Sequence, residues 1–490
     1  MPRVAPAFAC AGRCLILGVA IFATLGQAPS VDTETITINT AAPTTPFPHF
    51  WEQMFGSGRA ILSLRESYRH DLRLTKSATD LKYVRFHGIL NDEVGVYRNG
   101  HYNFSYVDEI FDGLLANGVR PFVEFSFMPR ELSATDQLHA FWYKPFPNPP
   151  KDYAHWGDLI YNFTRHCLDR YGEDEVARWY FEVWNEPNID FWTGDPKQST
   201  YFQLYDHAAL AVRKASLRLR VGGPATAQAA WVDAMIRHCS QTNVSLDFVS
   251  THVYGNDRAQ DVFGTEEKIP RSDMVARSVR KVFDEVKRST RPEIPIIWSE
   301  YNASYMNEVS VTDSPFMGPW LANNIRLCDG MTALMSYWTF SDVFEEQGVV
   351  EKPFYGGYGL IAPGGIPKAA FNAFAMLHRL GTERIPLNSS NALATKKPGG
   401  GVAIAVWNYA APEETGRPRR FLLSGLPKKQ YKVTILDRDH GSALDTWQKM
   451  GSPATPTRAQ QEQLRQAATN LAHSNSSTLV LPPHSLAILE

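Results

Sequence analysis

Residues 179–188 read WYFEVWNEPN, a β-rich run that ends abruptly in polar and acidic side chains. Bulky apolar residues dominate 179–185, and the run breaks at Asn185-Glu186-Pro187. A helical pattern follows, with Tyr201, Leu204, Tyr205, Ala208 and Val212 spaced three and four apart. Strand, polar turn and amphipathic helix make one β/α unit. On either side the unit recurs from residue 50 to residue 381, with strand-like runs at 50–56, 81–89, 120–127, 179–185, 218–223, 248–254, 294–300 and 335–340. Eight such alternations predict an α/β chain whose catalytic-sized unit, 48–381, is a (β/α)8 TIM barrel. A doubly wound open sheet needs a Gly-rich phosphate turn after an early strand. Phe55-Gly56-Ser57-Gly58 offers only GxG, so the barrel is preferred.

Past residue 381 the pattern changes. Short strands at 402–408, 420–423, 431–436, 478–481 and 485–489 predict a C-terminal accessory β-sandwich over 382–490. Pro398-Gly399-Gly400-Gly401 reads as a hairpin turn within it. The early run ETITIN (34–39), in the segment 29–47, is expected to pair with that sheet. A polar helical insert at 457–472 interrupts the series, within a polar stretch (451–477) that is the one candidate for disorder.

With 490 residues the chain exceeds what a single core usually supports, in keeping with two units. It is 44% hydrophobic and 20% charged, the balance of a folded soluble protein. The net charge is −2, and the densest basic stretch, RKASLRLR at 213–220, runs from a helix end into a strand. Nucleic acid is therefore not an expected partner. Arg3 and Arg13, the apolar run CLILGVAIFATL (14–25) and Gly26-Gln27-Ala28 form a secretory signal pattern with cleavage expected after Ala28. The run is short of the roughly 20 residues a membrane span needs. The expectation is a secreted or periplasmic protein with no membrane association after cleavage. Cys10 and Cys14 leave with the signal, and Cys167, Cys239 and Cys328 are too few and too scattered for a disulfide framework or a zinc site.

In a barrel enzyme the catalytic groups sit where strands end and βα loops begin. Those ends carry Arg85 and His87 on the second strand, Asn185 and Glu186 on the fourth, His252 and Tyr254 on the sixth, Glu300 on the seventh and Trp338 on the eighth. The fourth and seventh strands stand nearly opposite across an eight-stranded barrel, so Glu186 and Glu300 can approach over a sugar-sized gap. Glycoside cleavage with retention needs such a pair: one carboxyl held protonated to donate to the leaving oxygen, and one ionised carboxylate to attack the anomeric carbon. No HExxH or paired-His spacing is present, and neither a metal nor another cofactor is expected.

The longer strings VRFHGIL (84–90), FWYKPFPNPPKDY (141–153), FEVWNEPN (181–188), STHVYG (250–255), IIWSEYNASY (296–305) and SYWTFSDVFEE (336–346) resemble glycoside hydrolase family 39, in family order and over nearly the whole chain after the signal. That family holds β-xylosidases and α-L-iduronidases built as a barrel plus a β-sandwich. The resemblance implies Glu186 as acid/base and Glu300 as nucleophile. It implies a bond from Asn185 to the sugar 2-hydroxyl, hydroxyl or carboxylate contacts from His87 and His252, and Tyr254 beside the nucleophile. Trp338 becomes an apolar floor, and Glu345 and Glu346 accept hydroxyl hydrogen bonds at the closed end. The loop 141–153 borders the leaving-group side. Arg85 reads as a structural partner of a rim carboxylate and Trp184 as a core aromatic.

The iduronidase branch carries a basic residue shortly after the sixth-strand histidine, where this chain has Tyr254. A uronate needs such a cation. The expected function is thus an exo-acting retaining β-xylosidase on small oligosaccharides or glycosides. The alternatives are an α-L-arabinopyranosidase, an α-L-iduronidase-like glycosidase, an endo-acting polysaccharidase or a non-catalytic carbohydrate-binding protein. A homo-oligomer stays open.

Overall fold

A computed structural model describes residues 31–426 and 430–490. The signal segment 1–28, with Cys10 and Cys14, lies outside the described residues. Eight parallel strands close a barrel: β1 (Met54–Gly56), β2 (Tyr83–Phe86), β3 (Arg120–Phe125), β4 (Tyr180–Val183), β5 (Val221–Thr226), β6 (Phe248–Tyr254), β7 (Ile296–Asn302) and β8 (Leu334–Tyr337). Long amphipathic helices such as Tyr153–Tyr171, Lys197–Ala215 and Arg271–Arg288 alternate with the strands.

Because side chains alternate along a strand, every second residue fills the barrel. Met54, Phe122, Phe248, Ile297 and Leu334 form an apolar plug at the N-terminal end. One step further along sit Arg85, Glu124 and Glu182, fully buried and ion-paired. The next step reaches the rim. There β7 carries an extra residue between Trp298 and Tyr301, and its register shifts against both β6 and β8. A bulge of this kind re-aims side chains. It lets two consecutive residues serve the interior, with Ser299 reaching His252 and Glu300 reaching Arg85.

β5 lies three residues beyond the predicted 218–223, running through Gly222-Gly223-Pro224. The sequence run is closed at Gly223, ahead of Pro224, a residue that reads as a strand stop by composition. In the barrel, a Cβ on Gly222 would lie 2.4 Å from the Phe248 carbonyl oxygen, so glycine is what lets β5 and β6 meet.

The C-terminal unit is two packed sheets. A three-stranded sheet joins Asp32–Thr37, Arg419–Ser424 and Thr478–Leu481, the first pair parallel in the register Asp32 to Arg419. A seven-stranded sheet includes Val402–Asn408, Lys432–Leu436 and Ser485–Leu489. Ile36, Phe421 and Leu479 of the first sheet bury against Ile404, Val433 and Leu489 of the second. Two strands that sequence periodicity missed, Glu383–Ile385 and Ala392–Lys396, extend the larger sheet toward the barrel.

The polar stretch 451–477 is ordered. It holds a helix, Arg458–Thr469, started by a capping box between Thr457 and Gln460, then a strand, Ala472–Asn475. Leu464 and Ala468 are the helix's two buried residues and pack with Trp447, Phe354 and Ile366 of the same chain. Cys167, Cys239 and Cys328 are buried free thiols.

Candidate active site

At the C-terminal rim the strand ends surround a cavity of about 380 Å3. His87, Asn185, Glu186, Tyr254, Glu300, Trp338 and Glu346 all line it. Each comes from a different local device. β4 leaves the barrel through a turn in which Trp184 and Glu186 adopt left-handed backbone, with φ of 71° and 44°. Side chains rarely tolerate this, and such strain gathers at functional sites. The turn is held by the Glu186 N–H, which donates to the Ala225 carbonyl at 2.8 Å, and by the fully buried Trp184 indole, which donates to Phe191 O at 2.8 Å. Trp184 packs against Trp156, Trp192 and Phe127, a core role.

The two glutamates occupy different surroundings. One oxygen of Glu300 accepts from Arg85 Nη1 at 2.6 Å, and the other from the Tyr254 hydroxyl at 2.7 Å. Charge-assisted bonds of this length hold a carboxylate in one orientation. Among the described residues no Lys or Arg pairs with Glu186; its Oε1 lies 3.0 Å from His252 Nδ1. Burial first, then the charges of Glu300 and Asp257, raise its pKa well above the usual carboxylate range. An oxygen of Glu186, an oxygen of Glu300 and a nitrogen of His252 all lie within 4.8 Å of one another.

His252 is fully buried, and burial drives its pKa well below the ordinary imidazole value. A neutral ring keeps one accepting nitrogen, which can accept a hydrogen bond from a protonated Glu186, while Nε2 meets Ser299 Oγ at 3.1 Å. His87 differs. Burial opposes its protonation, but the charge and hydrogen bond of Glu124, 2.8 Å from Nδ1, outweigh that and raise its pKa. Arg85 ties the layer together. It bonds Glu182 at 2.6 Å, Glu124 at 2.6 Å and the Asn185 side-chain oxygen at 3.0 Å, which leaves the Asn185 amide for the cavity.

Trp338 lies against His87, with ring centroids 4.7 Å apart, and joins Tyr254, Phe344 and Tyr358 in an apolar wall. Its indole covers Gly56, where a Cβ would fall 2.1 Å from Trp338 Cε3. The adjacent glutamates of the last loop diverge. Glu346 enters the cavity with a buried Oε1 that has no hydrogen-bond partner among the described residues, its nearest basic group being His87 Nε2 at 3.7 Å, and burial pushes its pKa up to about 8. Glu345 turns away: Arg59 and Arg65 take its carboxylate at 2.5–3.1 Å, and it does not line the cavity. Phe141 from the loop 141–153 lines one side, and Trp142 N–H donates to Glu346 O at 2.7 Å.

Sequence reasoning missed Asp257, Phe191, Gln228, Tyr305 and Tyr358 in the wall, and Glu124 beneath it. Tyr305 closes the string IIWSEYNASY and Asp257 lies two residues past STHVYG, so proximity to those strings was the available signal. Two acidic groups a few ångströms apart, one shielded from cations and one clamped by them, can divide the roles of proton donor and nucleophile.

The description "Glycosyl hydrolases family 39" belongs to the family model that matches residues 34–480. A β-xylosidase of Caldicellulosiruptor saccharolyticus is 36% identical over 456 residues, covering 88% of this chain and 91% of that one. A β-xylosidase of Geobacillus stearothermophilus is 35% identical over 439 residues, covering 86% of each. The crystal structure of a monomeric β-xylosidase from Caulobacter crescentus superposes with a TM-score of 0.82 at 31% identity, covering 93% of this chain and 98% of that one.

Proposed function

This chain belongs to glycosyl hydrolase family 39, and from that premise we propose that it is an exo-acting β-xylosidase that releases xylose by a two-step, retaining displacement. The observation that carries the mechanism is the approach of the Glu186 and Glu300 carboxyl oxygens to within 4.8 Å inside the cavity. Retaining glycosidases hold their carboxyls about 5–5.5 Å apart, whereas inverting ones leave about 6.5–9.5 Å for a water molecule.

In the first step the Glu300 carboxylate attacks the anomeric carbon. The glycosidic C–O bond breaks and Glu186 gives its proton to the departing oxygen. Esterified Glu300 is then uncharged. One of the causes that raise the Glu186 pKa disappears with that charge, so the same group can act as a base. In the second step Glu186 takes a proton from water, whose oxygen displaces Glu300 and yields xylose of the starting configuration.

The walls of the cavity favour a neutral sugar. A uronate needs a cation, and among the described residues that line the cavity none is Lys or Arg. Arg85 lies below, committed to three glutamates. Burial pushes the Glu346 pKa up to about 8, and in its protonated form this group offers a hydroxyl both a donor and an acceptor. These features suit a neutral pentose. The test is a panel of nitrophenyl β-xyloside, α-L-arabinopyranoside, β-glucoside and α-L-iduronide. The β-xyloside is expected to give the highest kcat/KM; a higher value for the iduronide would overturn the assignment, and no turnover of any would point to a binding protein.

A further inference from the structure

At the other end of the barrel, three side chains from separate parts of the chain converge. His49 and Glu52 sit in the turn that leads into β1, and His378 follows the last barrel helix, Ala369–Leu377. His49 Nδ1 lies 2.5 Å from Glu52 Oε1, and His378 Nδ1 lies 2.9 and 3.0 Å from the two oxygens of Glu52. One donor atom from each residue falls within 4.8 Å of the others. We propose that His49, Glu52 and His378 form a binding site for a divalent transition-metal cation of the zinc type.

Two imidazole nitrogens and one carboxylate oxygen make a donor set that zinc accepts, with a fourth position left for solvent. Magnesium and calcium, which favour all-oxygen shells, are poorly matched. The surroundings also fit. Metal-bound histidines commonly direct the second ring nitrogen to a carbonyl, and ligating carboxylates are themselves hydrogen-bonded. Here His49 Nε2 faces the Gly381 carbonyl at 3.4 Å, and Glu52 Oε2 accepts from the Asp80 N–H at 3.3 Å. The His49 ring packs on Trp51, centroids 4.5 Å apart. Glu52 is fully buried, while the His378 side chain is 45% exposed and gives the site its opening to solvent.

The rival account is that two imidazole N–H groups merely satisfy a buried carboxylate. The two accounts differ in what zinc does. The cluster joins the turn before β1 to the end of the last helix, where Phe47 N–H also bonds Thr382 O at 2.7 Å. A cation bound there would stabilise the closure of the barrel by mass action and leave the opposite rim untouched.

The purified protein, stripped with EDTA, is titrated with zinc chloride by calorimetry, and its melting temperature and xyloside turnover are followed with zinc and with magnesium. One zinc per chain is expected, with a higher melting temperature, no such rise with magnesium, and unchanged turnover. His378→Ala, a change at a half-exposed side chain, is expected to weaken zinc binding at least about tenfold, the scale of losing even an outer-shell partner, and to reduce the thermal shift at a fixed zinc concentration without altering turnover. No stoichiometric binding to the wild-type protein would overturn the proposal. So would binding that His378→Ala leaves intact, or zinc binding that suppresses turnover, which would place the ion at Glu186, His252 and Glu300.

Discussion

Asp257 stands in the cavity wall, accepting the Tyr254 N–H at 2.8 Å, and burial lifts its pKa to about 7. Once ionised it helps to hold the proton on Glu186, after burial and the charge of Glu300. Asparagine at this position removes that contribution, so the Glu186 pKa falls and, on the proposed mechanism, its acid form is lost at a lower pH. Asp257→Asn is therefore expected to move the basic limb of the kcat/KM profile down by up to about one pH unit. Profiles measured on a nitrophenyl xyloside check this, and an unmoved or raised basic limb contradicts it. Glu186 and Glu300 were legible in the sequence because each ends a strand within a polar string. Asp257 was not, since it reaches the wall only through the tight turn in which its N–H bonds Tyr254 O at 3.0 Å. Glu345 and Glu346 were inseparable for a related reason: the arginines that claim Glu345 lie 280 and 286 residues away in the chain.

The last βα loop shows how an element keeps a residue such as Glu346 in place. Lys368, fully buried, bonds Asp313 at 2.6 Å, Asp342 at 3.0 Å and Gly357 O at 2.7 Å, and so fastens both ends of the loop. Arg59 and Arg65 fasten its middle through Glu345. Removing one partner from a buried ion cluster leaves charge without compensation and costs about 3–5 kcal/mol. Lys368→Met is expected to destabilise by that amount in denaturant unfolding; a change below about 1 kcal/mol would mean that Asp313 and Asp342 are satisfied without it. The strands around this loop were legible from their alternation. Its fastening was not, because an isolated lysine at 368 carries no periodic signal. β5 was displaced for a different cause: the run closes at Gly223 because Pro224 is a strand breaker by local preference, and the close packing of β5 on β6 carries the strand through it to Thr226.

Across the whole molecule, barrel and sandwich share a core. Leu393, Ala405, Trp407, Leu486 and Ile488 of the larger sheet join the barrel's main apolar cluster, and a Cβ at Gly318 on helix Met317–Cys328 would lie 3.1 Å from Leu436 Cδ2. A continuous core predicts one calorimetric unfolding transition for the described chain, and two separated transitions would contradict it. The seam was beyond the sequence reading, which saw two composition patterns but not which faces meet. Fold and seam together serve one arrangement, the Glu186 and Glu300 pair held close at the rim. Its most direct test is proton NMR of the first sugar released from a β-xyloside, read before mutarotation. The β-anomer of xylose appearing first is the predicted result, and the α-anomer appearing first would contradict the retaining displacement.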